Sequence, residues 1–299
     1  MPAVFLKDRA LLFVSGAEAQ SFLQNLITTD IISLGSDEVR PGALLTPQGK
    51  ILFDFMIWQE GDGYTIETDA SQRDGLLKRL TMYKLRAAVT LALRAEEGVT
   101  VCWGDDADAS QGAQGARGSQ GAQGARGSQG ARDSRFAKAG VTLVRRPGKH
   151  GKGEEALYDA LRIRLGIVTS GSDFALQDAF PHDVLMDLNG GLSFRKGCYV
   201  GQEVVSRMQH RGTARRRVVT VSAVTALPGT GTEITAAGKP IGTLGSVEGD
   251  HGLAIVRIDR AGAAIAAGTP LLAGETPVSL VLPAWSGLVF PTSADEASA

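Results

Sequence analysis

Lys196-Gly197-Cys198-Tyr199-Val200-Gly201-Gln202-Glu203 (KGCYVGQE) sets one thiol between two glycines, with bases upstream and an amide–carboxylate pair downstream. Glycine on either side frees the main chain to approach another surface closely. Arg195 and Lys196 favour thiolate over thiol, and thiolate is the reactive form. A helix beginning near Gly201 would bring its positive end to the same place. Gln202 and Glu203 offer donors and acceptors to a polar ligand. A lone cysteine is more often a small buried hydrophobe. These neighbours are not those of a core strand, so Cys198 reads as a functional thiol. Cys102, inside Val99-Thr100-Val101-Cys102-Trp103, reads as core.

Working outward, residues 195–217 carry seven bases against one acid, Glu203, in a chain of net charge −1. The plain reading is a solvated face; the functional one is a local anion site that includes Arg207 and Arg211. Upstream, Phe22, Leu23, Leu26 and Ile27 are spaced as one helix face, with Ser15 to Glu18 as a capping box. Residues 4–14 alternate as one strand. Ala43–Leu45 and Ile51–Trp58 predict strands joined by a turn at residues 46–50. Asp54 interrupts the second with an acid, and a buried carboxylate needs a partner or a role. Residues 72–80 predict a helix with Leu76, Leu77 and Leu80 inward, and residues 154–165 a second with Leu157, Leu161 and Leu165 one turn apart. His182, in Phe180-Pro181-His182-Asp183, reads as a turn histidine, with a base beside Cys198 as the alternative.

The octapeptide resembles the signature of the YgfZ group of folate-binding proteins, relatives of the glycine-cleavage T-protein. Residues 22–30 (FLQNLITTD), 44–55 (LLTPQGKILFDF), 82–86 (MYKLR), 190–194 (GGLSF) and 210–212 (HRG), with Arg215 to Arg217, extend the resemblance. It implies an α+β fold: a bipartite mixed α/β folate-binding portion followed by a C-terminal antiparallel β-barrel. The expected divisions are a first α/β half at 1–104, a low-complexity loop at 105–135, a second half carrying the signature at 136–212, the barrel at 213–290 and a tail at 291–299. The resemblance implies tetrahydrofolate as cofactor, held by Lys196, Gly197, Tyr199, Gly201, Gln202, Glu203, Arg207, Asp54 and Arg162, with Cys198 facing the same cavity. It implies support of iron–sulfur cluster assembly or repair in client proteins. A folate-dependent aminomethyl- or methyltransferase is the alternative, and an RNA-binding or scaffolding protein the third reading. Arg164 stands where the T-protein carries the glutamate that grips the pterin, which weakens glycine-cleavage chemistry.

Composition sets the bounds. With 43% hydrophobic and 21% charged residues, the chain reads as globular. Near-neutral charge supplies no general field for DNA or membrane, and 6% aromatic content disfavours RNA. Two cysteines fit a reducing compartment and exclude a self-contained four-cysteine cluster, so no metal ligand is assigned. The first residues mix acid and base without the plan of a signal peptide, and no apolar run reaches membrane-span length, so a cytoplasmic location is expected. The unit QGAQGARGS occurs at 111–119 and again at 120–128. Lacking large apolar side chains, it predicts a surface loop, with deletion of about 108–132 nearly neutral.

Overall fold

The alternation across residues 4–14 predicts one strand, but Lys7-Asp8 turns the chain and makes two, β1 (Ala3–Leu6) and β2 (Arg9–Ser15). The structure, a computed structural model, describes residues 2–104 and 130–291. The helix α1 (Ala19–Gln24) follows without the expected capping box, because Ser15 stays in β2 and the Glu18 carboxylate instead accepts the Ala88 N–H at 2.6 Å. Next come β3 (Glu38–Leu45), β4 (Ile51–Glu60), β5 (Gly63–Asp69), α2 (Arg73–Lys84), β6 (Thr90–Leu93) and β7 (Val99–Trp103). α2 buries Leu76 and Leu80.

The expected loop at 105–135 ends early. β8 (Ala131–Asp133) pairs with β3 in parallel and with β9 (Leu143–Pro147) in antiparallel, and Asp133 caps α3 (Ser134–Lys138) through the Arg135 N–H at 3.0 Å. β8 thus begins inside the stretch of about 108–132 whose deletion is expected from the sequence to be nearly neutral; residues 105–129, and the tail beyond 291, lie outside the described residues. One nine-stranded sheet results, in the order β1-β7-β9-β8-β3-β4-β5-β2-β6.

The chain divides differently from the sequence expectation. One unit comprises residues 1–42 and 55–158, the other 43–54 and 159–299. The first unit packs Leu11, Val39, Met56, Trp58, Val99 and Ala131 into a core. Within its sheet lies a buried charge cluster. Glu67 of β5 accepts from Arg9 at 2.7 Å and from Arg145 of β9 at 2.5 and 2.8 Å. Arg145 also reaches Asp133 at 3.0 Å, and Arg135 meets the same carboxylate at 2.8 Å. Burial alone would raise the Glu67 pKa, but Arg145 and then Arg9 outweigh it and hold the carboxyl at about 2.

In the second unit, α4 (Glu155–Leu165, counted here from residue 159), α5 (Gln202–His210), β10 (Arg216–Ser222), β11 (Glu233–Ala236), β12 (Lys239–Glu248), β13 (His251–Arg257), α6 (Ile258–Ala266), β14 (Leu271–Ala273), β15 (Thr276–Pro277) and β16 (Ser279–Val281) succeed one another. The seven strands pair in antiparallel, in the order β15-β14-β11-β12-β13-β10-β16, as a nearly closed barrel. Val219, Val221, Ile234, Leu244, Val256 and Leu280 fill it. The leucine stripe expected along α4 is not the buried one. Leu157 is exposed, whereas Arg162 and Ile163 are buried. A mixed α/β body with a C-terminal barrel is the α+β class expected from the sequence.

Candidate functional site

Residues 193–201 form an irregular loop pinned at both ends. The Ser193 hydroxyl accepts the N–H groups of Arg195 and Lys196, each at 3.3 Å. Tyr199 is buried, its hydroxyl donating to the Ser193 carbonyl at 3.3 Å, and burial pushes its phenol well above the ordinary range. Lys196 is buried too, its Nζ 5.4 Å from the Tyr199 ring centroid. Between these anchors Gly197 and Cys198 face solvent. A Cβ on Gly197 would meet nothing within 4 Å.

Gly201 has a different reason to be glycine. It begins α5 at φ +80°, and a Cβ there would lie 2.5 Å from the Thr46 carbonyl oxygen and 3.2 Å from Gly49 Cα. The turn at residues 46–50 therefore packs against the start of the helix, and Gly201 answers to that backbone rather than to a ligand. Gln202 is half-buried in the first turn of α5.

The basic run is not one uniform anion site. Arg207 pairs with Glu203 at 2.6 Å on the exposed face of α5. Arg216 reaches Asp178 at 3.3 Å. Arg217 is buried, bonded to Asp187 at 2.8 Å and to the His182 carbonyl at 2.7 Å. Arg195 and Arg211 are exposed and form no ion pair among the described residues. His182 is fully buried, at 3.1 Å from Gln209 and stacked obliquely on Phe194, and burial lowers its pKa. It makes no hydrogen bond to Cys198 among the described residues, so the base beside the thiol is not formed.

Asp54 is half-buried and accepts from the Ser170 hydroxyl at 2.6 Å. Arg162 is a structural tie. It bonds Asp159 at 2.6 Å, Asp173 at 2.7 Å and the Ser246 hydroxyl at 2.7 Å, which joins α4 to barrel strand β12. Asp173 also accepts the Thr169 and Ser246 N–H groups, both at 2.7 Å. Ser170, Asp173 and Ser246 carried no local sequence signal, because their partners lie far along the chain. Arg164 is exposed. Among the described residues, no group of His, Cys, Asp and Glu is placed to hold a metal, and no helix is long and apolar enough to cross a membrane.

The barrel and the mixed α/β body define a fold like that of aminomethyltransferases. The crystal structure of glycine cleavage system aminomethyltransferase T from Bartonella henselae matches with a TM-score of 0.68, over 94% of this chain and 85% of that one, at 17% identity. The CAF17 C-terminal beta-barrel domain model matches residues 215–288. The chain is 31% identical over 228 residues to an iron-sulfur cluster assembly factor IBA57 homolog, mitochondrial, of Pyricularia oryzae, covering 72% of this chain and 55% of the relative. It is 30% identical to the protein of the same name from Neosartorya fischeri, over 85% and 69% of the two chains. The chain thus belongs to the YgfZ/GcvT-like family, with the IBA57 homologues. It spans only 54–56% of the length of the first three curated relatives it matches. The expected cytoplasmic location is corrected by these relatives, all named mitochondrial.

Proposed function

We propose that this chain supports the assembly or repair of iron–sulfur clusters in other proteins, with Cys198 as its working thiol. The observation that carries the reading is the exposure of Cys198 on a loop fixed on both sides by buried Lys196 and Tyr199. A held, solvent-facing thiol can meet a partner's cluster or sulfur without rearrangement of its own fold. The relatives named as iron-sulfur cluster assembly factors support the same reading. Assembly partners and client proteins belong to it for that reason.

Tetrahydrofolate is the ligand we assign to this reading. A folate presents a flat pterin rich in amide and amine donors, and an anionic glutamate tail. The exposed bases Arg195 and Arg211 suit the tail, and the half-buried Asp54 carboxylate suits the pterin's donors. Arg162 and Gly201 are committed to the protein's own packing, whereas Asp54 would add the pterin to its bond from Ser170, and Arg207 is held, among the described residues, only by an exposed pair with Glu203. Bound, a reduced folate supplies a carrier for one-carbon units.

Two measurements test the proposal. In cells lacking their own copy of this protein, the wild-type chain should restore iron–sulfur enzyme activity and Cys198→Ala should not; full restoration by a well-expressed Cys198→Ala would remove the thiol reading. Titration of the purified chain with reduced folate, followed by calorimetry, should saturate, and Arg211→Glu should weaken polyglutamyl folate more than monoglutamyl folate. A flat titration would remove the folate and leave the thiol reading standing.

A further inference from the structure

The strand β6 ends the nine-stranded sheet on one side. Arg94 donates its N–H to the Leu11 carbonyl at 3.0 Å, next to the Leu12–Leu93 pairing. Antiparallel alternation then turns Ala92 and Thr90 toward β2 and leaves the N–H and C=O of Leu91 and Leu93 on the outer edge. Thr90-Leu91-Ala92-Leu93 has neither the charge nor the proline that commonly guards an edge strand, and Leu93 is 44% exposed.

α2 packs against this strand, and its end carries Met82, 55% exposed, and Leu85, 87% exposed. Leu85 sits at φ +46°, a backbone conformation in which glycine is at ease and leucine is strained. Residues 78–86 (KRLTMYKLR) hold four bases and no acid, and none of Lys78, Arg79, Lys84 and Arg86 forms an ion pair among the described residues. Thus, among the described residues, a terminal strand edge, a strained and exposed leucine and four bases outside any ion pair all belong to β6 or to the helix packed on it and the residues just after it, in the unit that contains none of the signature residues 196–203.

We propose that this edge docks an extended, acidic segment of another protein. The segment adds a strand along β6, bonding the outward backbone groups of Leu91 and Leu93. It sets an apolar side chain against Leu85 and Met82, and its carboxylates face the four bases. The open backbone edge favours a peptide strand over an anionic lipid surface, which has no regularly spaced donors and acceptors to match it.

The test uses the full chain and a fluorescent short peptide alternating glutamate with valine, beside the same peptide with lysine for glutamate. Phosphatidylcholine vesicles containing phosphatidylserine form a separate arm. Fluorescence anisotropy should show saturable binding of the glutamate peptide only, and hydrogen exchange at the Leu91 and Leu93 amides should slow in the complex. Leu85→Gly should weaken that binding at least about tenfold, as loss of an interface anchor does. The same variant should melt no lower than wild type, because glycine accepts the backbone conformation. Arg86→Glu with Lys84→Glu should invert the preference between peptides. The proposal is overturned by no binding at millimolar peptide, by equal binding of both peptides, or by unchanged affinity in Leu85→Gly. Binding to vesicles without peptide binding would make the surface a membrane site, and a dimer lost in Leu85→Gly would make it a self-association edge; either result overturns the acidic strand.

Discussion

In the first unit, Arg9, Glu67, Asp133, Arg135 and Arg145 meet in a buried cluster where each carboxylate has two guanidinium partners. In the second, Lys196, Cys198, Glu203 and Arg207 follow one another along a loop and a helix start, and all but Lys196 face solvent. The residue types overlap, but their surroundings do not. Removed from water, a charge is tolerable only when it is matched, so the cluster can hold the sheet together and has nothing left for a ligand. On the loop, water screens the charges and the Glu203–Arg207 pair contributes little. Its exposed groups, Cys198, Glu203 and Arg207, remain accessible to a partner. The density of charge in a stretch of sequence is therefore a poor guide to chemistry, and the burial of that charge is a better one.

The comparison breaks most sharply at Arg145. Arg145→Met removes one of the two guanidinium partners from both Glu67 and Asp133 and should cost about 3–5 kcal/mol in urea unfolding. Acid should act on the same cluster. The Glu67 carboxyl titrates at about 2 in the fold against 4.5 as its ordinary value, so its stabilisation is complete above pH 4.5 and disappears as pH falls from there toward 2. Asp133 is also held low, against the effect of its burial, by Arg135 and Arg145, and it works in the same direction. A chain whose melting temperature stays flat across that interval would contradict this account of the cluster.

Gly201→Ala comes next. It forces a side chain into φ +80° and against Thr46, and should destabilise by about 1–3 kcal/mol in thermal unfolding. Cys198→Ala should shift stability by no more than about 0.5 kcal/mol, because the thiol is exposed, while removing function in cells. The smallest effect belongs to Glu203 and Arg207. A double-mutant cycle between them should give a coupling of about 0.5 kcal/mol or less, decreasing with salt. A coupling several times larger would place the pair with the buried cluster and against the contrast drawn here.

Part of this was legible in the sequence. Barrel strands β10 to β13 are apolar runs cut by Gly, Pro and Asp, and their periodicity survives without tertiary help. The helix α6 buries Ile258, Ala261, Gly262 and Ala264 on one face, but it is nine residues long and lies between apolar strands, where a short apolar stretch does not separate helix from strand. β8 is three residues long and follows a repeat with no apolar pattern; its strand character comes from pairing with β3 and β9, which no local window contains. The signature loop announced itself through its glycines and bases, but the purpose of Gly201 depends on Thr46, far upstream. Arg162 illustrates the same limit, since its partner Ser246 lies in the barrel.

The strand ends and turn at residues 43–54 belong with residues 159–299, although residues 55–158 build the other unit. On the ribosome this has a cost in time. At ~5–20 residues per second, the segment waits on the order of ten seconds before its partners begin to emerge. Through that interval Ala43, Leu45 and Ile51, all buried in the finished core, lack the neighbours that will cover them. The second unit therefore cannot mature in the order in which it is made, and a nascent chain stalled near residue 158 displays the apolar face that chaperones bind.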